Sequence, residues 1–150
     1  MDALDREILS QLQDDGRLSV TELATRVGLS LSACHRRVRD LEQSGAIERY
    51  RAVISPRAAG LNFEAIVFVT IGRTDPETVA ELEDTLAALP NVIEAERLFG
   101  DPDYILRVLT ADLESYQRLF DTALGGLPGV QRITSTLVMK KVGAERAVPL

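Results

Sequence analysis

Four arginines, Arg26, Arg36, Arg37 and Arg39, are the only residues charged at neutral pH between Leu23 and Arg39. A guanidinium is a planar fork of donors that matches a phosphate, or the O6 and N7 edge of guanine. No acid stands among them, so a polyanion meets no repulsion along this stretch. Cys34 and His35, inside the same run, are the chain's only cysteine and only histidine. As a nucleophile with its base they fail on geometry, because adjacent helical side chains point about 100° apart. A zinc site needs more such ligands than the chain holds, and a lone cysteine excludes an intramolecular disulfide. No metal, no cofactor and no catalytic residue is expected, and Cys34 reads as a small core residue.

Net charge is −6, which taken alone argues against nucleic acid. The average conceals a division. Residues 1–57 carry nine Lys/Arg and nine Asp/Glu, whereas 58–150 carry eight against fourteen. Within the first part the acids gather early, at Asp2, Asp5, Glu7, Asp14 and Asp15, ahead of the arginine cluster. The local field, rather than the total, governs what such a surface meets.

The elements that must position these arginines are legible upstream and downstream of them. Leu4, Ile8, Leu9 and Leu12 share one helix face, and Gly16 closes that run. Ser19-Val20-Thr21-Glu22 has the form of a capping box, so a second helix starts near Val20 with Leu23, Ala24 and Val27 inward. Gly28 can take the left-handed conformation of a tight exit. Ser30 then caps a third helix whose buried face is Leu31, Cys34, Val38 and Leu41, ending before Gly45. Its opposite face holds Ser32, Arg36, Arg39 and Gln43, flanked by Ala33, His35 and Arg37.

Two helices joined by Gly-Leu-Ser on a supporting helix form the helix-turn-helix pattern, in which the second helix lies in the major groove of double-stranded DNA. The expected DNA-binding residues are Ser30, Ser32, Ala33, His35, Arg36, Arg37 and Arg39, with Ser32 through Arg36 toward base edges and Arg37 and Arg39 toward phosphates. A solvated helix face is the plain alternative, and it must treat both caps, Gly28 and the missing acids as coincidences. The β-rich "AIERYRAVI" from Ala46 to Ile54 is expected as a short wing or connecting strand.

"SPRAAGLN", Ser55 to Asn62, marks a boundary. Beyond it lies an internal repeat. The β-rich runs Ala65–Ile71 and Tyr104–Thr110 are each followed by an amphipathic stretch and then by "LPNV" or "LPGV", with Leu89 and Leu127 setting an offset of 38 residues. The amphipathic stretches are Asp75–Leu89, with Val79, Leu82, Leu86 and Leu89 inward, and Asp112–Leu124, with Leu113, Tyr116, Leu119, Phe120 and Leu124 inward. Closing strands are expected at Val92–Phe99 and Val130–Val142, the latter alternating Ile133, Ser135, Leu137 and Met139. Strand, helix, strand, twice over, predicts a ferredoxin-like sheet with both helices on one face. The organisation expected is therefore α+β: a (winged) helix-turn-helix domain over 1–54, a linker over 55–60, a ferredoxin-like βαββαβ domain over 61–142, and a tail over 143–150. The uncovered sheet face predicts packing on a second copy, which suits a twofold reader of DNA half-sites.

Taken together, "LDREILSQLQDDGRLSVTELATRVGLSLSACHRRVRDLEQSGAIERY", "FGDPDYILRV" and "LPGVQRITSTLVMKKV" resemble the Lrp/AsnC (leucine-responsive, feast/famine) family of prokaryotic transcription factors, from Leu4 to about Val142. The resemblance implies dimers that assemble further to octamers and an amino acid or related small metabolite bound as effector. It places the effector near Leu98, Gly100, Asp101, Pro102, Asp103 and Tyr104, with Thr134, Ser135 and Thr136 opposite. Carboxylates suit an ammonium, and hydroxyls and backbone amides suit a carboxylate. Gly-Asp-Pro-Asp is also the composition of a plain turn. An effector-responsive transcriptional regulator is the function expected; the alternative is a ligand-independent architectural DNA binder. An enzyme is not expected, since residues 58–150 hold no His, no Cys and no motif that pairs an acid with a base. The N-terminus lacks a signal peptide and no apolar run reaches about eighteen residues, so a cytoplasmic, nucleoid-associated location without membrane contact is expected.

Overall fold

The computed structural model describes residues 1–143 and 147–150, which fall into two compact units: Met1–Val53 with Gly143–Leu150, and Ile54–Val142. Residues 144–146 of the expected tail lie outside the described residues.

The first unit consists of α1 (Ala3–Asp14), α2 (Val20–Val27) and α3 (Leu31–Gln43) around Ile8, Leu9, Leu23, Ala24, Cys34, Val38 and Leu41. Each helix start is held by a side chain. The Ser19 hydroxyl oxygen accepts from Glu22 N–H, while the Glu22 carboxylate accepts from the Ser19 hydroxyl and from Ser19 N–H; these two bonds to the carboxylate favour the ionised acid, holding Glu22 below the usual carboxylate range. The Ser30 hydroxyl accepts from Ala33 N–H at 3.3 Å. A third box, Asp2 with Asp5, begins α1. Leu31, expected in the core, is 53% exposed, because the first turn of α3 projects past the edge of the three-helix packing.

No strand forms over Ala46–Ile54, since these residues find no ladder partner among the described residues, and β-propensity without pairing makes no sheet. Tyr50 anchors this segment instead. Its hydroxyl donates to Glu42 at 3.1 Å, and its ring borders a cavity of about 170 Å³ lined by Leu12, Leu18, Val20, Leu23 and Val38. Within the same unit the Gln13 amide grips the chain end, accepting from Val148 N–H at 2.7 Å and donating to Val148 C=O at 3.2 Å.

The second unit runs β1 (Phe63–Ile71), α4 (Pro76–Ala88), β2 (Val92–Arg97), β3 (Tyr104–Thr110), α5 (Leu113–Thr122) and β4 (Val130–Leu137), with a 3₁₀ turn at Leu124–Gly126. Strand order is β2-β3-β1-β4 and all three pairings are antiparallel, as a ferredoxin-like fold requires. Alternation along β1 turns Ala65, Val67 and Val69 toward α4 and α5, where they meet Leu82, Leu86, Leu106, Val108, Tyr116 and Leu124. Each such aliphatic side chain contributes about 1.5–3 kcal/mol by leaving water. The other sheet face carries Ile66, Phe68 and Ile105, all partly exposed.

Two apolar expectations fail in this unit. Leu113 is exposed because it sits in the first turn of α5, beyond the sheet edge. β4 ends at Leu137 rather than Val142, since β1, its partner in the sheet, reaches its first residues there, and Leu137 and Met139 are left exposed.

Gly28 and Gly129 both have φ near 70°, 68° and 69° respectively, but their surroundings differ. A Cβ on Gly28 meets nothing within 4 Å, whereas one on Gly129 overlaps the buried Thr78 Cγ2. Gly28→Ala is expected to cost about 1–2 kcal/mol from left-handed strain alone. Gly129→Ala adds an overpacking cost of about 1–3 kcal/mol. Urea denaturation of the two variants checks the order.

Candidate functional site

On α3, Ser32, His35, Arg36 and Arg39 are exposed and Ala33 is half-buried, so these side chains share an accessible surface behind the Ser30 cap. Among the described residues Arg36 and Arg39 make no ion pair. A helix of this kind presents donors to base edges from its first turns and cations to phosphates farther along. Arg37, expected among the phosphate contacts, points elsewhere: its Nη1 lies 2.8 Å from Asp2 and 2.7 Å from Asp5, both at the start of α1. Adjacent helical positions diverge by about 100°, which turns Arg37 toward α1 while Arg36 faces out. Arg26 is likewise tied to α1, donating to Gln11 Oε1 at 3.2 Å.

In the second unit an open cleft of about 520 Å³ is lined by Thr70, Gly100, Asp101, Asp103, Gln131 and Arg132. The β1 register creates it. Val69 pairs with Tyr104 on one side and Thr70 with Arg132 on the other, so the turn between β2 and β3 meets the start of β4 at the end of β1. Asp103 secures this junction. Its N–H donates to Val69 C=O at 3.0 Å, its carboxylate accepts from Ile71 N–H at 2.8 Å, and its C=O accepts from Leu98 N–H at 2.7 Å. Asp101 and Arg132 face one another 3.7 Å apart with both side chains well exposed, a loose pair that water screens strongly. A Cβ on Gly100 would meet nothing within 4 Å, so packing of the chain does not demand glycine there, and the space beside it is open.

Of the expected effector residues, the cleft gathers Gly100, Asp101 and Asp103. Leu98 and Pro102 belong to the same turn without lining it, and Phe99 at its tip is fully exposed. Thr134 and Thr136 share the Arg132 face of β4 but lie farther along it, opposite Phe68 and Ile66. Tyr104 and Ser135 are elsewhere. The pleat turns both to the helix side, where Ser135 hydrogen-bonds Tyr116 and Tyr104, only 2% exposed, donates to Glu83 at 2.8 Å. Thr70, Gln131 and Arg132 are not singled out by the sequence, because nothing in the chain order pairs residue 70 with residue 132. An Arg two residues before the expected Thr134, on the same strand face, was the available signal.

Residues 64–148 match the family model described as Lrp/AsnC ligand binding domain, and residues 1–48 match that described as winged helix-turn-helix DNA-binding. The leucine-responsive regulatory protein of Escherichia coli K12 is 36% identical over 142 residues, spanning 95% of this chain and 87% of the relative. A transcriptional regulator from Neisseria meningitidis, solved as a complex with L-methionine, aligns at a TM-score of 0.93 and 32% identity, covering 99% of this chain and 96% of that one. An AsnC family transcriptional regulator from Agrobacterium tumefaciens aligns at a TM-score of 0.92 and 30% identity, covering 99% and 97%.

Burial and then the Glu83 hydrogen bond push the Tyr104 hydroxyl up to about 12, from an ordinary value near 10. A raised value in the folded state stabilises the protein fully below pH 10, and that contribution is lost as pH rises through about 12. The stability of Tyr104→Phe is therefore expected to fall less than that of the wild type between pH 10 and 12 in parallel denaturant titrations.

Proposed function

The chain belongs to the Lrp/AsnC family of DNA-binding transcriptional regulators, and from that premise we propose that an amino acid, held in the cleft between Asp101 and Arg132, switches its DNA binding. One observation carries this reading: a carboxylate and a guanidinium face each other across an open cleft, loosely enough to part. A free amino acid brings the complementary pair. Its ammonium would meet Asp101, and its carboxylate would meet Arg132 with the Gln131 amide or the Thr70 hydroxyl. The neighbouring L-methionine complex, at 32% identity, supports the ligand class. Asp103 is already engaged with Ile71, so it shapes the cleft and does not compete for the ligand.

Ser32, Ala33, His35 and Arg36 read base edges in this proposal, with Arg39 on phosphate. Effector and DNA communicate through assembly. The sheet face bearing Ile66, Phe68 and Ile105 packs on a second copy, giving a dimer with two α3 helices, and dimers assemble further. An effector that prefers one arrangement over another shifts the spacing of the α3 pairs, whereas equal affinity for both would shift nothing. In this reading the protein works in the cytoplasm, on the nucleoid.

Calorimetric titration of the twenty amino acids is expected to find at least one ligand that also changes a gel shift; no heat from any of them would remove the effector from the proposal. Asp101→Asn and Arg132→Ala are each expected to weaken that ligand about ten- to a hundredfold, as the loss of one charged hydrogen bond does. Selection from random DNA tests the interface. Arg36→Ala is expected to relax preference at one position at a cost of about 1–3 kcal/mol. Phe68→Asp is expected to sediment as monomer where the wild type sediments as dimer or larger; a monomeric wild type would remove the assembly step.

A further inference from the structure

The start of α1 carries more than a helix cap. Asp2 Oδ1 accepts from Asp5 N–H at 2.9 Å, and Asp5 Oδ2 accepts from Asp2 N–H at 2.9 Å, closing the capping box. The two remaining carboxylate oxygens, Asp2 Oδ2 and Asp5 Oδ1, both accept from Arg37 Nη1, at 2.8 and 2.7 Å. Every oxygen of the box has a donor, and Nη1, which carries two hydrogens, has an acceptor for each. We propose that Arg37 is a positioning residue, which sets the recognition helix on α1 through the Asp2–Asp5 box and does not contact DNA.

Three features favour this over a phosphate contact. The Arg37 side chain is 26% exposed and that of Asp5 17%, so the pair is sheltered from solvent in a way that Arg36 and Arg39 are not. Two carboxylates neutralise the guanidinium locally, which removes its attraction for a phosphate. The bonds also join two elements far apart in sequence, the first turn of α1 and the second turn of α3. Packing of Ile8, Cys34, Val38 and Leu41 holds the helices together, but the hydrophobic attraction behind it has no direction of its own. A charge-assisted bridge fixes direction as well as distance. Base readout by α3 requires side chains held within about 0.5 Å of their working positions. The hydrogen bonds to Asp5 and Asp2 hold the Arg37 guanidinium more firmly protonated than usual, and the Asp5 amide together with Arg37 holds Asp2 below the ordinary carboxylate range.

The proposal rests on α3 being the DNA-reading helix, and the test separates the two claims. The full chain is assayed against its selected site and a scrambled duplex over a salt series, well below the melting temperature of each variant. Arg37→Ala is expected to lower the ratio of specific to scrambled affinity about tenfold, a coupling of ordinary size for contacting residues, with the salt slope unchanged. The Asp2→Asn/Asp5→Asn variant is expected to do the same, since Asn keeps the caps while losing the charge. Adding Arg37→Ala to it should cost nothing more. This pair of variants also stands in if Arg37→Ala does not fold.

Three outcomes overturn the proposal. A salt slope reduced by about one in Arg37→Ala, with tighter binding by Asp2→Asn/Asp5→Asn, makes Arg37 a phosphate contact. A lower melting temperature with an unchanged affinity ratio makes it structural only. Losses that add in the triple variant deny the coupling. Failure of α3 as the reading helix has its own signature, Arg36→Ala and Arg39→Ala both at wild-type ratio and slope, and would take the positioning role with it.

Discussion

β1 is the constraint on which the second unit depends. Like β3 it has a partner on each side, and its pleat divides the sheet into a face that buries Ala65, Val67 and Val69 and a face that does not. The same register brings residue 104 beside Val69 and residue 132 beside Thr70, so the β2–β3 turn and the start of β4 meet at one end of β1. Core, uncovered face and cleft are three consequences of how this one strand is paired. An exposed ion pair such as Asp101–Arg132 adds little stability, which leaves it free to serve a ligand.

The first unit solves a different problem. Three short helices with a small core need their ends satisfied, and polar side chains do this at Asp2, Ser19 and Ser30. The caps double as placement. Ser30 fixes where α3 begins, and the Asp2–Asp5 box supplies the acceptors for Arg37. Charge is partitioned accordingly: among the described residues the cations on the α3 face that looks outward have no acidic partner, while the one beside them that looks inward has two.

Much of this was legible in the chain. The capping box at Ser19–Glu22, the left-handed Gly28 and the Ser30 cap are local chemistry, decided within four residues, and each stands where its residues require it. The repeat offset and the two apolar periodicities likewise predict the βαββαβ order. Misreadings cluster where a partner decides. The segment Ala46–Ile54 has strand composition and no ladder, and Leu31, Leu113 and Met139 have core character at places the packing does not reach.

Sequence alone determined where α2 and α3 begin, the class of fold, the family and the basic character of α3, because caps, periodicity and charge act over a turn or a strand. Tertiary structure alone decided which arginine on α3 faces outward and which is held by α1, which threonine and serine positions of β4 share a face with the cleft, and that Tyr104 belongs to the helix side. The physical reason is the same in each case. A side chain's direction follows from the pleat or the helical turn, but what waits in that direction is set by elements many residues away, such as Asp2 for Arg37 and Glu83 for Tyr104.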